Sequence, residues 1–143
     1  LIGQAGLDHH AVYQATQTTY TLADGSQTLT VPLTLTTPDG LTVQKIYTFK
    51  RGKYDIDLIY RVNNHSPQPI TLRQYRQFQR LDPQEGLALI PTYTGGVMYS
   101  PQEKYKKIPF DEMAKAEISH DVQDGWLALI QHYFVGAWLP KRG

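Results

Sequence analysis

The sequence has no cysteine among its 143 residues. Disulfide scaffolds and thiolate chemistry, whether catalytic or metal-binding, are therefore excluded. The chain also lacks an excess of charge of one sign, because 14 Lys and Arg stand against 13 Asp and Glu, for a formal net charge of +1. Nucleic-acid binding requires a basic stripe or patch, so we exclude that class of function as well.

Long hydrophobic runs are missing too. The longest, WLALIQHYFVGAWL at 126–139, is interrupted by Gln131, His132 and Gly136, and a membrane span needs ~20 consecutive apolar residues. We therefore expect the chain as given to be soluble. Its composition is 41% hydrophobic, and its length suits one domain with a sizeable core.

The dominant pattern is the two-residue alternation of β-strands, and helical spacing is nearly absent. The clearest example is KRGKYDIDLIYRVNN at 50–64, where a tight turn precedes an alternating stretch that should point Tyr54 and Tyr60 inward. Pro32 cannot donate to a ladder, which predicts an edge position or a bulge there. The other predicted strands are 16–22, 27–37, 41–50, 70–81 and 87–100, with two more in 119–140 around Asp124-Gly125.

Three segments depart from a simple alternation. Residues 1–12 show neither period and are predicted to be an aperiodic arm or loop. Residues 70–81 alternate but carry polar side chains on both faces, and 110–117 is the only good candidate for a short helix. Short strands with turn signals every ~10 residues are typical of an antiparallel β-sandwich or barrel. The predicted fold class is therefore all-β.

No motif carries convincing catalytic or metal-binding chemistry. His9 and His10 have no partners at zinc-site spacing. Ser119-His120-Asp121 contains the residue types of a hydrolase triad, but neighbours on a strand point to opposite faces and cannot converge. Asp55 and Asp57 share a strand face on which Arg61 offers charge compensation. We predict no catalytic residue, no metal and no cofactor.

Aromatic side chains near Arg and Gln are the more informative feature. Such rings can line a groove that binds sugars or extended peptides. Many of these aromatic residues could equally belong to the core or the rim of an ordinary β-sandwich. The candidate docking or groove residues are Arg73, Tyr75, Arg76, Phe78 and Tyr99.

Three stretches together resemble one protein family. They are residues 19–64, with YTFKRGKY at 47–54; residues 95–113, with YSPQEKYKKIPFD at 99–111; and DGWLALIQHYFVGAWLP at 124–140. In order and spacing they are similar to the large periplasmic domain of the bacterial YidC membrane protein insertases.

The resemblance implies a twisted antiparallel β-super-sandwich, similar in shape to the galactose mutarotases. It implies an inner-membrane insertase and chaperone that helps membrane proteins insert and fold, alone or with the Sec translocon. This chain would lie on the periplasmic face of that membrane and contact Sec components or nascent membrane proteins. Residues 13–143 would be a partial β-sandwich domain lacking terminal strands, and exposed sheet edges would then favour edge-to-edge self-association.

Three functions stay open at this point. The first is a periplasmic accessory domain that acts by binding, with the surface around 70–81 as its docking site. The second, by analogy with the mutarotase shape, is a carbohydrate-binding or mutarotase-like module, although fold alone does not confer that activity. The third is a structural spacer.

Overall fold

The fold consists of two compact units, Leu1–Tyr75 and Arg76–Gly143. A computed structural model of the chain describes residues 1, 3, 6–81, 92–115 and 119–140. Each unit contains one four-stranded antiparallel sheet. The predicted all-β class is confirmed.

The sheet of the first unit is a simple meander in the order β1-β2-β3-β4. Glycine shapes both hairpin turns, since Gly40 follows β2 with φ 89° and Gly52 follows β3 with φ 67°, conformations that other residues adopt only with strain. The hydroxyl of Thr37 accepts the N–H of Leu41 at 3.1 Å and closes the first turn. The strands are β1 Gln14–Ala15, β2 Thr28–Thr36, β3 Leu41–Lys50 and β4 Ile56–Asn64.

The core of the first unit lies at one end of this sheet. Leu41 and Val43 of β3 are buried together with Leu7, which belongs to the segment predicted to be an aperiodic arm. The described residues of 1–12 form no strand or helix, yet Leu7 is as deeply buried as Leu41 of β3. Partly buried hydrophobic residues surround these three: Leu1, Tyr13, Leu35, Tyr60, Ile70 and Leu72.

The opposite end of the same apolar face is uncovered. Tyr54 was predicted to point inward, and this is wrong: it precedes β4 and its side chain is fully exposed. Ile56, the first residue of β4, is 55% exposed. The alternation correctly predicts which side chains share a face, but covering that face depends on segments far away in sequence.

The sheet of the second unit has the order β6-β5-β7-β8. Val97 and Met98 of β5 and Ala128 of β7 are buried, so the two central strands form the interior of this unit. A short helix follows β6, in the place where the sequence predicts one. The elements are β5 Gly95–Ser100, β6 Lys104–Ile108, α1 Phe110–Lys115, β7 Trp126–Gln131 and β8 Phe134–Trp138.

Several predicted strand boundaries are wrong. Residues 16–22 and 70–81 are irregular, with a single bridge at Arg73. In 70–81 the apolar side chains do not serve one sheet, because Ile70 and Leu72 pack on the core of the first unit and Phe78 packs on Trp138 of the second. β6 was not expected, since its sequence KYKKI has no apolar alternation. In 119–140 the hairpin turn lies at His132-Tyr133 instead of Asp124-Gly125. Residues 87–91 of the predicted strand 87–100 lie outside the described residues.

Pro32 lies in β2 in unbroken register with Ile46, so there is no bulge. β1 reaches only Leu33 and Thr34 on the other side of β2. At Pro32, β2 therefore pairs with β3 alone, which confirms the predicted edge position. The position suits proline, which has no backbone N–H to donate to a neighbouring strand.

Candidate functional site

The described residues of the second unit form an apolar groove. The part of it that contains Trp138, which we call the main cavity, has a volume of about 500 Å³. An adjoining hollow of about 570 Å³ shares Gly96, Met113 and Leu127 with it. These volumes fall in the range of small-ligand and peptide sites. The main cavity is lined by Arg76, Gly96, Met98, Ile108, Met113, His120, Val122, Gly125, Trp126, Leu127, Trp138 and Pro140.

Strand register explains why these side chains meet. Met98 pairs with Leu127, and Leu127 pairs with Trp138, so the three form one row across β5, β7 and β8. The next row contains Gly96, Leu129 and Gly136. Because two of its three members have no side chain, this row forms a depression in the sheet surface.

Two side chains from outside the sheet lie over these glycines. A β-carbon on Gly96 would come within 2.6 Å of the Met113 terminal methyl, and one on Gly136 within 3.2 Å of the Phe78 ring. The Phe78 ring also packs on Trp138, with centroids 5.7 Å apart and planes tilted by 38°. Helix α1 and the segment around Phe78 therefore line the groove.

The groove offers hydrogen-bond donors within an apolar lining. The indole N–H of Trp138 is buried and finds no acceptor among the described residues. Such an unpaired donor is unfavourable by about 1–3 kcal/mol. Of the residues that line the main cavity, Arg76 and His120 are the ionisable ones. A ligand with apolar side chains and a carbonyl or carboxylate oxygen would complement this lining.

His120 is held by a charged cluster instead of by Ser119 or Asp121. Its Nδ1 lies 3.4 Å from a Glu103 carboxylate oxygen, and its Nε2 lies 3.4 Å from the Lys106 ammonium. Lys106 also approaches Glu103 at 4.0 Å. These contacts order His120 on the rim of the groove and do not form a hydrolase triad.

Lys50 compensates the charges of Asp55 and Asp57 at the start of β4, whereas the sequence suggested Arg61. The Lys50 ammonium lies 3.0 Å from carboxylate oxygens of both Asp55 and Asp57. Hydrogen bonds to these carboxylates raise the pKa of Lys50, and the same contact lowers the pKa of Asp55. The cluster closes the β3–β4 hairpin and lines no described cavity.

Metal-ligating residues do not assemble in the described part of the chain. Within residues 1, 3, 6–81, 92–115 and 119–140 no three His, Asp or Glu side chains come together as a metal site would require. The rings of His9 and His10 pack against each other, with their centroids 3.8 Å apart.

Comparison with known proteins decides the family. The family model of the YidC periplasmic domain matches residues 1–143. The chain belongs to the YidC periplasmic domain family.

Relatives among characterised proteins carry the name membrane protein insertase YidC. Those of Shewanella baltica strain OS155 and Shewanella amazonensis strain SB2B are 41% and 42% identical over 145 aligned residues. That of Shewanella sp. strain MR-7 is 39% identical over the same length. The alignments cover 98% of this chain but 27% of each relative. In the described residues of this YidC-family domain, no helix is both long and apolar enough to traverse a bilayer.

The structure places two of the five predicted docking residues of this YidC-family domain at the groove: Arg76 lines the main cavity and Phe78 lines the adjoining hollow. Tyr99 lines neither; it follows Met98 in β5, so it points to the opposite face of the sheet, where it stacks on Trp126 with centroids 5.9 Å apart. Arg73 and Tyr75 belong to the first unit, and both are exposed. All five remain predictions as functional residues.

The groove residues that sequence reasoning missed are Met98, Met113, Trp126 and Trp138. The apolar run at 126–139 was considered as a membrane span, as part of two strands and as part of the family resemblance, but not as a groove lining. Its alternation alone does not place Trp138, because Trp138 shares a face with Leu127 only through the two-residue turn between β7 and β8. Pairing with Met98 could not have been predicted, because it requires the register between β5 and β7.

Proposed function

We propose that this chain is the periplasmic part of an inner-membrane insertase that helps membrane proteins insert and fold, alone or with the Sec translocon. It acts by binding, or as a scaffold, and performs no reaction of its own. Family membership and the names of its relatives support the insertase role. The observation that carries the binding role is the apolar groove, about 500 Å³ in volume, on the second unit.

The partner chemistry that fits this groove is an apolar, extended peptide segment. Met98, Met113, Leu127 and the two tryptophans supply apolar contacts, and methionine side chains adapt to varied partners. Arg76 and His120, which also line the groove, can donate to a backbone carbonyl of the peptide. Nascent membrane proteins are rich in such segments, which makes them the substrates we propose.

The test uses this chain and a labelled peptide of alternating leucine and serine. The only two tryptophans of the sequence, Trp126 and Trp138, both line the groove, so peptide binding should shift the intrinsic emission. Leu127→Glu places a charge in the groove at a side chain that is already 43% exposed. We expect this substitution to weaken binding about tenfold or more, as burial of a charge against apolar surface is unfavourable.

Leu139→Glu is the matched control, because Leu139 is exposed and does not line either cavity. Equal affinity of the parent, the Leu127→Glu variant and the control would refute binding in the groove. Retained binding by the control with loss in the Leu127→Glu variant supports it.

Contact with Sec components is tested in the full-length insertase. Charge reversal at Arg73 and Arg76 together should reduce the recovery of Sec components in a pull-down, if the surface around 70–81 is their docking site. Unchanged recovery would remove these residues from the proposed interface.

Edge-to-edge self-association belongs to the same proposal. β8 is an edge strand of the described sheet, and its residues Phe134 to Ala137 are exposed. Unpaired strand edges can pair with other chains. A mass above the monomer in light scattering at high concentration is expected, and a monomer at all concentrations contradicts this part.

A sugar-binding role is the second candidate, favoured by an aromatic cluster of the second unit. Tyr99 and Tyr105 both pack against Trp126, and aromatic faces bind sugar rings. A mutarotase needs an acid and a base on either side of the sugar, whereas His120 and Glu103 contact each other directly. A sugar-dependent rise in melting temperature would favour this candidate, and its absence, together with absent mutarotation, would dismiss it.

A further inference from the structure

The tip of the β7–β8 hairpin presents large apolar side chains to solvent. The strands are joined at His132-Tyr133, with Gln131 paired to Phe134 across the turn. Tyr133 is 85% exposed, Phe134 76% and Val135 68%. Three consecutive side chains of this kind at one protruding turn carry a large hydration penalty, and the core of the unit gains nothing from them.

Neither turn chemistry nor solubility explains these residues. Two-residue hairpin turns ordinarily use Asn, Asp or Gly, so a His-Tyr pair is not demanded by the backbone. From Trp126 to Pro140 the sequence contains no Asp, Glu, Lys or Arg. His132, whose ring packs against Tyr133, is the one basic side chain at the turn. The tip could thus enter a less polar environment without removing a carboxylate, ammonium or guanidinium group from water, and charge removal is the largest obstacle to such a transfer.

We propose that this tip docks on the surface of a lipid bilayer. A stable protein interface uses about 20–30 residues a side, far more than one turn supplies. A bilayer surface can accept a single protruding turn, and aromatic residues, Tyr above all, favour the boundary between headgroups and acyl chains. Tyr133 and Phe134 enter that boundary, with Val135 beside them.

Docking of the tip would hold the groove near the membrane. Trp138 of the groove lies four residues along β8 from Phe134, which corresponds to about 13 Å at the rise of a strand. The inference goes beyond the proposed peptide binding and does not depend on it. If the domain failed to bind peptide, the proposed membrane docking would still stand, because the docking test contains lipid and no peptide.

The experiment is co-sedimentation of the 143-residue chain with phosphatidylcholine vesicles and with vesicles that also contain phosphatidylglycerol. The parent chain should bind both. The double substitution Tyr133→Ser with Phe134→Ser should weaken binding about tenfold or more, because each removes apolar surface that would leave water. The matched control is Tyr54→Ser with Val12→Ser, which removes two other exposed apolar side chains in the first unit and should bind as the parent does.

Absence of parent binding to either vesicle, or binding that the Tyr133 and Phe134 substitutions leave unchanged, overturns the proposal. Binding only to phosphatidylglycerol vesicles overturns it too, since basic side chains would then be responsible. A second measurement does not depend on the double variant being folded. The emission of the introduced tryptophan is obtained by subtracting the parent spectrum. For Phe134→Trp this emission should shift to the blue when phosphatidylcholine vesicles are added, and for Tyr54→Trp it should not. Equal spectra of Phe134→Trp with and without vesicles contradict docking.

Discussion

Gly125 packs directly against the backbone carbonyl of Tyr99. A β-carbon at position 125 would overlap both this oxygen and a methyl group of Val122. The contact brings the start of β7 onto β5, where Tyr99 pairs with Trp126. The stacking of the Tyr99 and Trp126 rings therefore depends on the absence of a side chain at position 125.

Replacement of Gly125 by alanine should destabilise the second unit by about 1–3 kcal/mol, because the backbone of β5 must shift to admit the methyl group. Tryptophan fluorescence during urea unfolding measures this, since both tryptophans lie in the second unit. Gly136→Ala is the comparison: its methyl group would meet only the Phe78 ring, so a smaller effect is expected. An unchanged midpoint for Gly125→Ala would contradict the packing.

The segment before β1 contributes to the core of the first unit. Leu7→Ala should lower the free energy of unfolding by about 2–5 kcal/mol, as for other buried leucines. Circular dichroism during urea unfolding measures this change in the free energy of unfolding. Val12→Ala, at an exposed site of the same segment, should change stability by less than about 0.5 kcal/mol. Equal effects of the two substitutions would show that Leu7 is not a core residue.

A tyrosine hydroxyl joins β5 to β6. The Tyr93 hydroxyl donates to the carbonyl of Gly96 at 2.6 Å and accepts the N–H of Ile108 at 3.1 Å. Tyr93→Phe should destabilise the second unit by about 1–3 kcal/mol, because both backbone groups lose this partner. Tyr105→Phe, on an exposed ring, is the control. Unfolding curves that coincide for the two variants would count against the bridge.

The Lys50 cluster should stabilise the β3–β4 hairpin in a defined pH window. The pKa of Asp55 is lowered from 3.8, so its contribution is present above that value and is lost as pH falls through the folded-state pKa. The pKa of Lys50 is raised from 10.5, so its contribution is complete below that value and is lost as pH rises through the folded-state pKa.

Lys50→Met should therefore lower the melting temperature slightly near neutral pH, with a smaller difference from the parent at strongly acid and strongly alkaline pH. The effect should be small, because exposed ion pairs are screened by water and salt. Lys53→Met, in the same turn, controls for loss of one positive charge. A difference from the parent that does not vary with pH would rule out the carboxylate contacts as its cause.

Local pattern predicted much of the fold where alternation and turn residues agree. The predicted strand 41–50 coincides with β3, because Pro38-Asp39-Gly40 and Arg51-Gly52 limit it on both sides. The short helix was placed correctly at its start, Phe110. β6 was missed because its three lysines hide any apolar face; its backbone pairs with β5 regardless, as tertiary context overrides strand propensity.

The candidate site was predicted less well than the strands. Arg76, Phe78 and Tyr99 were selected for their mixed aromatic and basic surroundings; Arg76 and Phe78 line the groove, whereas Tyr99 lies on the other face of β5. The strand on which that selection rested does not exist, since 70–81 is irregular. The tryptophans and methionines of the lining became visible only with the register of β5, β7 and β8.

The sequence by itself determined the all-β class, the family and the faces on which side chains lie, because a two-residue period and turn-forming residues act over a few neighbours. Tertiary structure alone decided which faces are covered: Leu7 is buried, Tyr54 is exposed, and Phe78 lies over Gly136. Burial depends on segments that are distant in sequence and meet only after the sheets form, and no local pattern carries that information.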